Sequence, residues 1–222
     1  MLRLELIEGL RIIIVVLLSY LPTVAIAGWF EAWVAHKSGD DVPEQLGFLT
    51  FDPIVHFNVI GFAALIVGQL FGPYIPSFLR DLPGWGRFIP LVPSGINPIR
   101  TLFQCTARAL AHLIMMLFSF FILVALIKTS LLNAQTNSAV IQSIASVLLF
   151  FQKQNYMLCI IYTIIGLFRT VLFNYFPEMH QFSSKHIVIA VFSFIMFIFV
   201  GSAIMEWILH QLMSTLAYVF LM

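Results

Sequence analysis

At 222 residues, with 61% hydrophobic and 9% charged side chains, the chain carries far fewer charges than the roughly 25% of an ordinary globular domain. A mean hydropathy of +1.00 excludes a soluble domain and implies one all-α integral-membrane domain over residues 1–222, a bundle of roughly five or six transmembrane helices. The net charge of +1 says nothing about nucleic acid, but there is no basic patch of the kind such binding requires, so no nucleic-acid partner is expected. The partners such a surface admits are the lipid bilayer and other integral membrane proteins, and no site for a soluble small-molecule substrate is evident.

The first apolar run predicts a helix over about 10–36, interrupted by Pro22, whose freed carbonyl neighbouring helices can satisfy. Ile12–Tyr20 followed by Ala25-Ile26-Ala27 resembles a signal-peptide core and cleavage site. The apolar pattern continues past Ala27, so the segment is expected to remain as a first transmembrane helix. Residues 37–53 form a polar loop with Lys37, Asp40, Asp41, Glu44 and Asp52. A second transmembrane helix is expected over about 54–72. Six prolines between Pro73 and Pro98 forbid a continuous helix over 73–100 and favour extended or turn backbone. A third helix covers about 103–128. Apolar runs follow at 139–152 and 156–173, separated by Lys153-Gln154-Asn155. A last helix is expected over about 187–212.

Arg3 and Arg11 precede the first helix, and Arg80, Arg87, Arg100 and Arg108 follow the second. With two spans between them, both groups fall on one side. The bias of Lys and Arg then makes that side, and the N-terminus, cytoplasmic. Cys105 and Cys159 lie in apolar segments and read as small core residues rather than a disulfide framework.

One stretch stands out: Gly47-Phe48-Leu49-Thr50-Phe51-Asp52-Pro53-Ile54-Val55-His56-Phe57-Asn58-Val59-Ile60-Gly61, preceded by Gly39-Asp40. It resembles the loop that follows the zinc-binding helix of the site-2 protease family of intramembrane metalloproteases. Further pieces match the order of that family over about residues 24–170: Gly84-Trp85-Gly86-Arg87-Phe88-Ile89-Pro90, then Ala107-Arg108-Ala109-Leu110-Ala111-His112, then a segment from Gln154 to Ile164. The resemblance implies a bacterial inner membrane, or an organelle membrane of bacterial origin. It also implies where zinc would sit. The His-Glu-x-x-His positions are occupied by Ala27-Gly28-Trp29-Phe30-Glu31, and Thr163 stands at the position of the third ligand.

Zinc hydrolysis needs three protein ligands, an open position for water and a general base. Of the former zinc and base positions, Ala27, Gly28, Glu31 and Thr163, only Glu31 is a ligand type. The expectation is therefore a pseudoprotease with no catalytic residues, no metal and no cofactor. No nucleophile elbow, phosphate loop or Cys–His arrangement replaces the lost set. Glu206 and His210 have i, i+4 spacing but lie near a helix end, where polar side chains are common. His56 has the look of a turn-stabilising residue. A b-type haem between His112 and His210 stays open as a minor alternative.

An intramembrane Glu31 demands a partner. Arg108 is the expected one, because the resemblance packs its helix beside the metal position; the alternative is a snorkelling Arg108 and a Glu31 that faces a wet cavity. Trp29, Phe30 and Trp33 beside the lost motif either contact a partner protein or plug the chain's own core. The function expected is that of a structural or interaction subunit of a membrane complex. A transient regulator or chaperone of single-span proteins is the alternative. An enzyme or transporter of unrecognised mechanism comes third. The stretch 84–93 is expected at the membrane surface as extended backbone, open to pairing with another chain.

Overall fold

The structure, a computed structural model, describes residues 2–75, 82–92, 97–132, 139–175, 207, 210, 211 and 213–215. Six α-helices are formed among them: α1 (Leu2–Lys37), α2 (Val42–Gln45), α3 (Pro53–His56), α4 (Val59–Phe71), α5 (Pro98–Leu132) and α6 (Ala139–Tyr175), with a 3₁₀ turn at Gly72–Tyr74. Three stretches are long and apolar enough to cross a membrane: Ile7–Lys37, Pro98–Lys128 and Val140–Tyr175. The protein is thus an integral membrane protein of all-α class.

These three helices make an up-down-up bundle. Along α1, Ser19 meets Gln154, Thr23 meets Asn155 and Glu31 meets Arg169, so α6 runs parallel to it. Glu31 also meets Arg108, while Asp40 meets Gln104, so α5 runs antiparallel. Small residues permit close approach where these helices cross. Ala27 packs on Ala111 and Met115, and a Cβ at Gly166 would lie 2.5 Å from the Cys105 carbonyl of α5.

Several expectations are corrected. Lys153-Gln154-Asn155 does not break a helix; α6 runs through it for 37 residues. Gln154 and Asn155 are buried and hydrogen-bonded across helices to Ser19, Thr23 and His112, so their polar groups are satisfied within the bundle. The expected second transmembrane helix is broken at Phe57 and Asn58, both extended. Asn58 caps the new start by accepting from the Gly61 N–H at 2.8 Å. The 13 residues of α4 rise only about 20 Å, short of a bilayer core of about 30 Å. The described residues therefore hold three spanning helices rather than five or six. The expected last helix lies mostly outside the described residues.

With α4 too short to cross, the described residues of 42–75 and 82–92 pack against the bundle rather than add a span. Phe62, Leu65 and Ile66 of α4 pack back down α1 against Val16, Tyr20 and Val24. Residues 82–92 then climb beside α1. The Trp85 carbonyl accepts from the Tyr20 hydroxyl at 2.9 Å, and the Val92 N–H donates to Asp40 at 2.7 Å. Asp40 turns back at the end of α1, its N–H donating to the Ala35 carbonyl, so it stands about 23–26 Å beyond Tyr20 along the helix. Seven residues reach at most about 25 Å, so this backbone is close to fully extended. It lies against the bundle, with Ile89 and Leu91 buried and Phe88 and Val92 exposed.

The geometry also removes the two-span premise for orientation. Arg11 lies near the start of α1, while Asp40, just past its end, binds Val92 and Gln104. The first arginine group and Arg100 lie at opposite ends of the bundle, so the arginine bias does not assign the N-terminus to the cytoplasm.

Candidate functional site: a closed polar centre beside an open backbone edge

Irregular backbone at membrane depth is tolerated only where protein satisfies its polar groups. Here the odd-numbered carbonyls are each capped by a different side chain. Pro83 accepts from Gln154 Nε2 at 2.8 Å, Trp85 from Tyr20, Arg87 from Arg108 Nη2 at 2.9 Å and Ile89 from Arg169 Nη2 at 3.4 Å. The Arg87 N–H donates to the His56 carbonyl at 2.7 Å. The alternation is that of extended chain, in which successive residues turn their N–H and C=O to opposite sides. On the even side, Val92 is bonded to Asp40, while Phe88 and Pro90 are open. Among the described residues, the N–H and C=O of Phe88 and the C=O of Pro90 have no hydrogen-bond partner. Phe88 and Val92 are also exposed, at 52% and 54%.

Behind this edge lies the centre predicted from sequence. Glu31 is 2% exposed and Arg108 3%. Arg108 Nε lies 2.6 Å from Glu31 Oε2, and Arg169 Nη1 lies 3.3 Å from Oε1. The close Nε–Oε2 approach is a charge contact without hydrogen-bond alignment. Arg108 also donates to the Tyr162 hydroxyl at 3.2 Å and lies over that ring. The structure thus brings Glu31 and Arg108 together, with the carboxylate buried between Arg108 and Arg169.

Gly28 has a different task from the one its position suggests. A Cβ there would overlap the His56 imidazole at Nδ1, Cε1 and Cγ. The missing side chain is what lets His56, fully buried, lie flat on α1. His56 Nε2 faces the Thr50 carbonyl at 2.8 Å. A carbonyl only accepts, so Nε2 carries the proton and Nδ1 is a bare, unpartnered acceptor against Gly28. Burial lowers the imidazole pKa from its ordinary 6.5; the Thr50 hydrogen bond works against this, and the Arg108 charge adds to it. His56 joins the loop to the helix and is neutral at pH 7. His112 is arranged alike. Its Nδ1 donates to Asn155 Oδ1 at 2.8 Å, its Nε2 is buried and unpartnered, and its ring is stacked on Tyr162 at 5.3 Å.

The zinc implied by the resemblance does not fit these residues. Ala27 offers no donor and packs on Ala111 and Met115. The space of a Gly28 side chain is filled by His56. Both Glu31 oxygens are held by cations. Thr163 turns its hydroxyl to the Cys159 carbonyl of its own helix at 2.7 Å; Tyr162, one residue earlier, is the α6 side chain that reaches the centre. Among the described residues, three metal-capable donors converge only at His36, Asp41 and Glu44, on exposed loop ends beyond α1. A haem between His112 and His210 is equally unsupported. The His112 ring face is covered by Tyr162, and His210 is exposed. Glu206, His180 and His186 lie outside the described residues.

The aromatic group divides. Trp29 stacks on Phe51 at 4.3 Å and on Trp33 at 6.1 Å, and Phe30 packs against the Ala27, Ala111 and Met115 cluster. Trp33 stays 38% exposed. Phe30 therefore serves the chain's own packing, and Trp33 with Phe51 presents an outer aromatic face.

Sequence reasoning missed Arg169, Tyr162 and Asp40. An arginine inside the 156–173 apolar run was the available signal, since intramembrane charges are functional or paired. No known protein family, curated protein or solved structure matches the chain.

Proposed function

We propose that this chain is a non-catalytic, site-2-protease-like membrane protein that holds another integral membrane protein as an interaction subunit. The observation that carries the reading is the open backbone edge at 88–90. Unsatisfied N–H and C=O groups do not stay exposed to hydrocarbon, where each costs several kcal/mol. An extended segment of a partner supplies hydrogen bonds to such an edge, and side chains such as Phe88 and Val92 give it purchase. Trp33 and Phe51 extend the contact surface. The non-catalytic half of the reading is supported by the occupation of the former ligand positions: an alanine, a glycine filled by His56, and a carboxylate held by two arginines.

Purification of the full chain in mild detergent, followed by mass spectrometry, tests it. A second membrane protein is expected at fixed stoichiometry, which a transient regulator would not give. Phe88→Pro deletes the edge donor, and its preceding residue is already extended as proline requires. That variant should fold and lose the partner. A chain that purifies alone, or a Phe88→Pro variant that keeps its partner, overturns the interaction reading. One tightly held zinc per chain in elemental analysis overturns the non-catalytic one.

A further inference from the structure

His56 holds three parts of the fold together. Its ring lies flat on Gly28 of α1. Its Nε2–H donates to the Thr50 carbonyl at 2.8 Å and so closes the loop on itself. Its own carbonyl accepts from the Arg87 N–H at 2.7 Å, the one backbone–backbone hydrogen bond made by 82–92 among the described residues. The seat of the ring on α1 is thus coupled to the segment that presents the open edge at 88–90.

That seat admits only a neutral ring. Nδ1 is buried against Gly28 and has no hydrogen-bond partner. A second proton there would set an unpaired N–H and a positive charge against the α1 backbone. Arg108 on α5 opposes protonation, while Glu31 on α1 and Asp52 in the loop favour it. Glu31 is already held by Arg108 and Arg169, and Asp52 is exposed and accepts from the Ile54 N–H. Arg87, in the extended segment, lies over Phe48, whose ring packs on His56 at 5.9 Å. Burial decides the balance and holds the imidazole below its ordinary 6.5.

The loop also has little else to keep it closed. Its helices α2 and α3 are single turns of four residues, and Leu46, Phe51 and Ile54 are exposed. Such a segment opens at lower cost than three long packed helices unfold. In the open loop the ring meets water and takes up its proton near pH 6.5.

On the interaction reading proposed above, we infer that His56 is an acid-operated latch for the edge: a proton from the medium binds Nδ1, the imidazolium leaves Gly28 together with residues 50–57, and the Arg87 N–H loses its acceptor, which loosens the edge and releases the partner. The closed loop takes up a proton less readily than the open one, so closure is complete above pH 6.5. Each unit of pH below that favours the open loop by up to about tenfold.

The test follows amide hydrogen exchange by mass spectrometry in the full chain, purified with its partner in mild detergent, between about pH 7.5 and pH 5.5. Rates are corrected for the chemical exchange of free amides. The opening constants over 50–57 and at the Arg87 N–H should rise by about tenfold from about pH 6.5 to pH 5.5, while those of α5 and α6 stay level. The dissociation rate of the partner should rise by a similar factor. His56→Gln keeps a donor for the Thr50 carbonyl and has no proton to gain, so both rises should vanish. A wild type without the rise, a rise shared by α5 and α6, or an equal rise in His56→Gln overturns the latch. Should His56→Gln not fold, the wild type alone decides, because only local opening spares α5 and α6. A rise with an unchanged dissociation rate overturns the control of the edge and leaves the interaction reading standing. A chain that carries no partner at neutral pH overturns that reading, and the exchange rates still decide the latch.

Discussion

Gly28→Ala separates two effects of opposite sign. Glycine inside a helix is worse than alanine by about 1 kcal/mol, so propensity alone predicts that the substitution stabilises α1. The structure predicts the reverse, because the new methyl would occupy the space of the His56 ring. The ring has little freedom to retreat. Nε2 is bonded to Thr50 at 2.8 Å, the His56 carbonyl accepts from Arg87 at 2.7 Å, and Phe48 lies against it at 5.9 Å. Overpacking typically costs about 1–3 kcal/mol, and loss of the Thr50 hydrogen bond adds about 1 kcal/mol. After subtracting the gain in propensity, the net destabilisation is about 1–3 kcal/mol. Reversible unfolding of the purified chain in mixed micelles of mild detergent and dodecyl sulfate measures it. The double variant Gly28→Ala, His56→Ala should recover part of the loss, with a coupling above about 1 kcal/mol. A Gly28→Ala chain as stable as the wild type, or more stable, would refute the packing argument.

Three further outcomes follow from the same centre and from the bundle. Glu31→Gln strands the buried Arg108 and the half-buried Arg169 and should cost about 3–5 kcal/mol. Arg169→Gln leaves a balanced pair and should cost well under half of that; equal losses in the unfolding assay would contradict the arrangement. His56 has a lowered pKa in the fold, so its contribution is full above the ordinary value of 6.5. It declines as the pH falls below 6.5, because the unfolded chain then takes up the proton first, by up to about 1.4 kcal/mol per pH unit. His56→Gln should show a shallower decline in its unfolding midpoint between about pH 7 and pH 5, and parallel profiles would reject the buried neutral imidazole. Single cysteines at Arg11 and Arg100 should label from opposite faces of sealed vesicles; labelling of both from one face would place α4 across the bilayer after all.

Membrane class and the long helices α1 and α5 were legible because apolar runs longer than a bilayer leave little choice of structure. The Glu31–Arg108 contact was legible for a similar reason, since an intramembrane carboxylate restricts its own partners. The break at Asn58 was harder to read. Val55 to Phe71 is apolar throughout apart from His56, Asn58 and Gln69, and hydropathy does not record that an asparagine can cap a helix as well as sit inside one. Asn155 and Gln154 misled in the opposite direction. They look like punctuation in a linear pattern, yet face Thr23, His112, Ser19 and the Pro83 carbonyl across the bundle. Such pairings are non-local and leave no trace in a window of sequence. The topology error followed from the helix error, because one miscounted crossing reverses every later loop.

The buried polar residues share one cause. A protein that brings extended backbone into a bilayer must supply a donor for every carbonyl it buries. Residues 83, 85, 87 and 89 place those carbonyls on one side, and α1, α5 and α6 each contribute donors there: Tyr20, Arg108, Gln154 and Arg169. Two of the four donors are cations, so a carboxylate must follow them into the membrane, and Glu31 does. Polar groups in this core thus answer a structural demand from 82–92 before any chemical one. The converse is sharper. Donors were supplied for one edge of the extended segment and none for the other, among the described residues. A fold that satisfies each inward carbonyl with a separate side chain has the means to satisfy the outward groups as well. On the interaction reading proposed above, the Phe88 backbone groups, which have no hydrogen-bond partner among the described residues, are where an incoming segment would bond, and the Phe88→Pro variant removes the donor on which that arrival depends.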